Sequence, residues 1–171
     1  MAKTYICFNG PMPTVAAGAP VATGAVIITL LQLKPALPIK VIEWGISFSG
    51  FAAAAPGKVE LLTTGVIYGT VTAFAAADVM PYDDPNAPVN TAGVNGVPLN
   101  LGVTESGYTC TNEAAIVATR YGDVQQISPT GQYVKQFPLG REFGVPALGC
   151  LRVRVTFAAS VYAVCYVIFE P

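Results

Sequence analysis

Histidine is absent from all 171 residues. That removes the Ser-His and Cys-His pairs that activate many hydrolytic nucleophiles. Charge is scarce as well. Charged residues make up 11% of the chain, against about 25% in an ordinary soluble domain. The net charge is −1 and no charged block stands out, so the chain lacks the basic footprint of a nucleic-acid binder. Apolar residues reach 53%, yet long apolar runs are missing. "GAVIITLLQL" (24–33) and "ASVYAVCYVIF" (159–169) are each about half of the roughly 20 residues a spanning helix needs. A barrel of the outer-membrane type would need more evenly spaced amphipathic strands, with aromatic girdles, than the chain offers. The opening "MAKTYICFNG" does not read as a signal peptide, and the expectation is a soluble protein made in the cytosol. The four cysteines, Cys7, Cys110, Cys150 and Cys165, include no C-x-x-C pair. A zinc site would have to gather all four from distant places. Cys7 and Cys165 lie inside apolar strand patterns, where a reduced thiol acts as a small hydrophobe.

What the chain does contain is strand after strand. The length favours a single domain over 1–171, able to bury about 70% of the surface its unfolded chain exposes. Period-2 patterns or short apolar runs occur at 4–8, 25–33, 39–48, 58–64, 69–74, 114–121 and 132–137. In 39–48 the residues Ile42, Trp44, Ile46 and Phe48 share a face. In 58–64 the inward residues are Val59 and Leu61. Leu151, Val153, Val155 and Phe157 alternate with Arg152, Arg154 and Thr156, which predicts one dry face and one wet face carrying both arginines. The final segment, 161–169, is apolar on both faces, with Tyr162, Val164, Tyr166 and Ile168 on the second. That predicts cover on both sides, from a second layer or a neighbouring subunit. No sustained 3.6-residue period appears; "AAAAP" (52–56) and "FAAADV" (74–79) offer at most a turn of helix. Fourteen prolines and 17 glycines punctuate the chain. Together these predict an all-β fold, an antiparallel β-sandwich of jelly-roll-like type. Two stretches do not fit a compact sheet: an extended N-terminal segment at 9–24 and a long loop at 80–107 rich in Pro, Gly and Asn. Loops of that length carry function or are disordered, and both are read as arms reaching to a neighbour.

Candidate chemistry is thin. "GISFS" (45–49) lacks the second glycine of a nucleophile elbow. "GFAAAAPGKV" (50–59) fails as a phosphate loop on spacing and on Val59 after Lys58. Asp83 and Asp84 in "YDDPN" either clamp Ca²⁺ with loop carbonyls or form a solvated turn, and the turn is favoured. Trp44 is a sugar platform or core, and its phase favours core. Arg141 and Glu142 sit among Pro138, Gly140, Gly144, Pro146 and Gly149. They have no partners for a reactive site and are read as a local salt bridge or a subunit contact, a place where arginine makes a good anchor. No catalytic residue, cofactor or metal ligand is assigned. The interface candidates are Arg141, Glu142, Tyr82, Asp83, Asp84, Tyr162 and Tyr166.

The phrases "KVIEWGISFSG", "KVELLTTG", "MPYDDPNAP", "ESGYTCTNEA" and "QFPLGREFGVPALGCLRVRV", followed by a hydrophobic last strand, resemble in this order a family of small β-rich proteins encoded near the capsid genes of tailed phages that infect actinobacteria. The resemblance spans about residues 39–169. It implies head decoration: a protein bound without covalent links to the major capsid protein on the outer face of the shell, reinforcing it after synthesis in the host cytoplasm. By the same analogy the protein is a homo-oligomer, a trimer at first guess, with no nucleic-acid or membrane partner. Low charge, a rigid body and arms that order on binding agree with it. The competing expectation is a carbohydrate- or host-surface-binding sandwich with exposed aromatics in a groove, drawn from Tyr68, Tyr82, Tyr108 or Tyr121. An enzyme is the least favoured expectation.

Overall fold

A computed structural model describes residues 3–11, 19–21, 27–50, 55–86, 99–114 and 117–171, with the backbone alone for 19–21. Period-2 alternation becomes strand almost everywhere it occurs. The strands are β1 (Tyr5–Phe8), β2 (Ala19–Val21), β3 (Ile27–Leu33), β4 (Ile39–Ser49), β5 (Gly57–Thr63), β6 (Thr70–Ala73), β7 (Met80–Pro81), β8 (Gly107–Asn112), β9 (Arg120–Ile127), β10 (Gln132–Gln136), β11 (Phe143–Val145), β12 (Leu151–Thr156) and β13 (Val161–Glu170). Among the described residues the one helical element is a 3-10 turn at Ala76–Asp78, within "FAAADV"; 52–54 of "AAAAP" lie outside the described residues. Among the described residues no helix is long and apolar enough to cross a membrane.

The strands form two antiparallel sheets packed face to face, an all-β sandwich. The seven-stranded sheet runs β10-β4-β13-β1-β7, with β11 also on β4 and β2 also on β13. The six-stranded sheet runs β6-β8-β3-β12-β5-β9. The long strands β4 and β13 pair over Tyr162↔Ser49 to Glu170↔Lys40 and form the spine of the first sheet; β12, held between β3 and β5, is the spine of the second. Between the sheets lie Tyr5, Leu31, Leu33, Val41, Trp44, Ile46, Val59, Leu61, Leu151, Val153, Val155, Cys165, Val167 and Phe169, all buried. Phe48 and Phe157 meet across the layers at 4.7 Å. Trp44 is core, tilted against Tyr133 at 5.6 Å, and Cys7 and Cys165 are buried free thiols.

Several expectations need correction. Arg152 and Arg154 are not on a wet face: their exposures are 0% and 3%. The β5–β6 and β8–β9 connections lie over Arg152, whose guanidinium donates to the carbonyls of Ile67 and Glu113 at 3.1 Å each. It also pairs with the Glu113 carboxylate at 3.1 Å. Glu113 in turn accepts from Thr29 N and Oγ1 at 2.5 and 2.6 Å. Arg154 pairs with buried Glu60 at 2.9 Å, and Lys58 reaches the same carboxylate at 3.1 Å. A buried ion persists only when paired and hydrogen-bonded, and the cross-strand register Arg154↔Glu60 supplies the pair. Ile42 is not in the core. The β4–β13 register shifts between Ile168 and Phe169, and the bulge leaves Ile42 between faces. Of the strand expected at 114–121 only Arg120 and Tyr121 lie in a strand, the start of β9; β8 ends before it at Asn112, and 115–116 lie outside the described residues. The 80–107 stretch is not one free arm. Its first part is β7, paired with β1, and its last part holds an Asn100 N–H bond to the Lys34 carbonyl and Leu99 bridged to Pro35. Residues 87–98 lie outside the described residues, as do 12–18 and 22–26 around the 9–24 segment.

Candidate functional site

The register of the seven-stranded sheet assigns its outward face row by row. Ser49 stands beside Tyr162. Gln132, Ser47 and Val164 form the next row. Val134, Gly45, Tyr166 and Phe8 form the third, and Gln136, Glu43, Ile168, Ile6 and Met80 the fourth. Glu43 is the one charged residue in these rows. The face is apolar, hydroxyl and amide in character, and much of it is open: Tyr162 and Val134 are each 58% exposed and Val164 is 39% exposed. The second face of β13 is therefore covered at Ile168 but bare at Tyr162 and Val164, which corrects the expectation that the whole face is dry.

Gly45 is why the face has relief. An added Cβ there would meet Tyr166 Cε1 at 2.5 Å; without it the Tyr166 ring lies down on the strand backbone. The ring packs against Phe8 at 5.9 Å, and its hydroxyl donates to Glu43 Oε1 at 2.6 Å. Burial first, then the Glu43 carboxylate, pushes the Tyr166 phenol well up. The lowered ring leaves a hollow of about 220 Å³ between β10, β4 and β13, lined by Ile46, Ser47, Gln132, Val134, Val164 and Tyr166.

The expected interface residues fall in three places. Tyr162 and Tyr166 lie on this face, and Tyr82 is exposed just past β7, with its N–H on the Thr4 carbonyl. Asp83 and Asp84 sit beside Tyr82 in a solvated turn. Asp83 Oδ1 accepts from Thr4 N at 2.9 Å and Asp84 Oδ1 from Asn86 N at 3.0 Å. The backbone bond from Thr4 holds the Asp83 carboxyl below its usual range. Among the described residues no group of three His, Cys, Asp or Glu is placed to hold a metal ion. Arg141 and Glu142 lie apart, on the β10–β11 corner. They make no ion pair with each other among the described residues; Glu142 Oε1 instead accepts from Gly140 N at 2.8 Å. Of the aromatics expected in a groove, Tyr68 donates to the Leu148 carbonyl, Tyr108 packs on Phe74, and Tyr82 and Tyr121 are exposed outside the hollow. Sequence reasoning missed Val134, Ser47 and Gln132. The signal was present as alternation in 132–137, but which strand stands beside which is not written in a single strand. Compared with protein-family models, with curated proteins and with solved structures, the chain matches none of them.

Proposed function

We propose that this chain is a virion structural protein that decorates and stabilises the exterior of a tailed-phage capsid, held by non-covalent contacts with the major capsid protein. One observation carries the proposal: the sandwich closes its own core and, among the described residues, leaves the outward face of the seven-stranded sheet open at Tyr162, Val164 and Val134. A bare, nearly uncharged face rimmed by tyrosines has the composition of a protein-docking surface. The resemblance over 39–169 supplies the partner. The test is to mix the protein with shells that lack it, sediment them, and challenge them with heat. The protein should pellet with the shells and raise the temperature at which they rupture. Shells that neither bind it nor gain resistance overturn the proposal.

A second reading draws on the lining of the hollow. Ser47, Gln132 and the Tyr166 ring offer hydroxyl, amide and aromatic groups of the kind that hold a neutral saccharide. A glycan array with no hits removes it; binding abolished by Q132A supports it.

A further inference from the structure

The most exposed large apolar side chain on the described surface is not on the sheet face. Leu139 is 94% exposed, at the tip of the β10–β11 corner. The tip is built to hold it. Arg141 N donates to the Pro138 carbonyl at 2.9 Å, and Gly140 N donates to Glu142 Oε1 at 2.8 Å. Gly140 takes a left-handed φ of 76°, which glycine adopts without cost in side-chain strain. Phe137 and Phe143 stack at 6.3 Å below the tip, and both flanking strands are hydrogen-bonded to β4. The leucine is thus presented on a pre-ordered turn, which lowers the entropy lost on docking. Next to it, Arg141 is exposed and makes no ion pair among the described residues.

The sheet face carries the complement of both features. The hollow, a half-open depression of about 220 Å³, has the side chains of Val134 and Val164 and the ring of Tyr166 in its lining. One row beyond it stands Glu43, bonded to the Tyr166 hydroxyl and in no ion pair among the described residues. Leu139 and Arg141 are two residues apart, within about 7 Å along the backbone, so a leucine in the hollow leaves its arginine in reach of that carboxylate.

We propose that the outward face of the seven-stranded sheet is a self-association site. It takes Leu139 of a second copy into the hollow and sets that copy's Arg141 on Glu43. The inference rests on reading that face as a protein-docking surface, and it names the occupant. Knob and hole lie on different parts of the chain, so each copy can give one and receive one, as in a closed ring.

Sedimentation velocity of the full chain, from about 1 to 200 µM, tests it. The wild type should associate. L139D should weaken association at least about tenfold, the loss expected when one buried leucine anchor is removed. E43R and R141E should each weaken it, and the exchange E43R/R141E should restore it, because only a direct pair regains attraction on reversal. A wild type that stays monomeric throughout, an L139D that associates like wild type, or a double exchange no better than either single variant overturns the proposal. If E43R fails to fold, L139D and R141E, both at exposed positions, still decide it. Shell binding separates this inference from the proposed function. A monomeric L139D that still pellets with shells supports self-association and leaves decoration standing. An L139D that stays associated yet no longer pellets overturns self-association and assigns the tip to the capsid.

Discussion

Replacing Glu113 with alanine should damage this protein more than its partly exposed loop position suggests. The carboxylate faces Arg152, whose side chain is 0% exposed while that of Glu113 is 19% exposed. Once it is gone the guanidinium keeps, among the described residues, only neutral acceptors: the carbonyls of Ile67 and Glu113 at 3.1 Å and the Cys150 sulfur at 3.5 Å. Thr29 N and Oγ1 lose their acceptor as well. An unpaired buried charge costs about 3–5 kcal/mol, a fifth or more of the roughly 5–15 kcal/mol that holds a domain together. For a chain of this size the melting temperature should fall by about 6–20 °C. R152M should cost less, about 1–2 kcal/mol, because Glu113 keeps its bonds from Thr29 and some water. The double variant R152M/E113A should be more stable than the sum of the singles by at least about 2 kcal/mol, since it removes charge and counter-charge together. Urea unfolding followed by circular dichroism and by the fluorescence of Trp44, the single tryptophan, measures all three variants; coincident transitions justify the two-state treatment. An E113A within 1 kcal/mol of wild type, or singles that simply add, would mean that water reaches Arg152 and that the β8–β9 connection is not fastened through it.

Two glycines should respond differently to alanine. In G107A the new methyl falls on the Thr72 carbonyl of the neighbouring strand, which cannot turn aside, whereas in G45A it meets the Tyr166 ring, which can. G107A should therefore lose at least about 1 kcal/mol more in urea unfolding, and G45A should alter the near-ultraviolet tyrosine signal. Equal losses would refute the packing described for both. Asp123 should carry part of the acid sensitivity. Burial raises its pKa, but hydrogen bonds from Gln125 and Tyr133 and the Lys135 charge outweigh this and hold it low. Its contribution is present above the unfolded value near 4 and is lost as pH falls through the lower folded value. D123N should therefore flatten the stability slope below about pH 4, and an unchanged slope contradicts the assignment. Thiol labelling at pH 8 should find Cys110 roughly two orders of magnitude slower than a free thiol, because burial, then the Glu113 charge, pushes it up to about 11. Cys7 and Cys165 should react only on unfolding. Rapid labelling of either in native protein contradicts their place in the core.

Alternation alone carried the sandwich, because a strand's side-chain period is fixed by its backbone. The inward sets of β12, β5 and most of β4 were legible for that reason. What lies over the outer side of a sheet is a different quantity, since it depends on connections distant in sequence. The six-stranded sheet shows the difference. Arg152 and Arg154 alternate with valines as any solvated residues would, and the acids that neutralise them, Glu113 and Glu60, stand 39 and 94 positions away in the chain. β9 was missed for a related reason. "RYGDVQQI" is a polar edge strand with little apolar signal, and its buried Asp123 is held by Tyr133 and Lys135 of β10 as well as by Gln125 beside it. The bulge at Ile42 is equally silent in sequence, because nothing in "KVIEWG" marks the extra residue.

The two outer faces invert the usual expectation about charge. Arg152, on the outer side of the six-stranded sheet, is buried under two connections of its own chain, whereas Tyr162, Val134 and Val164, on the outer side of the seven-stranded sheet, are left exposed. Paired charges can be covered by a chain that supplies hydrogen-bond partners, as the Ile67 and Glu113 carbonyls do for Arg152. A bare apolar face gains most from a partner that is also apolar, and the exposed surface offers such a group on an ordered turn, Leu139. The buried polar groups Arg152, Glu60 and Asp123 are each paired within the sandwich, with Glu113, Arg154 and Lys135 respectively. Among the described residues, the outward face of the seven-stranded sheet offers another molecule apolar area at Val134 and Val164, the relief left by the Tyr166 ring, and the carboxylate of Glu43.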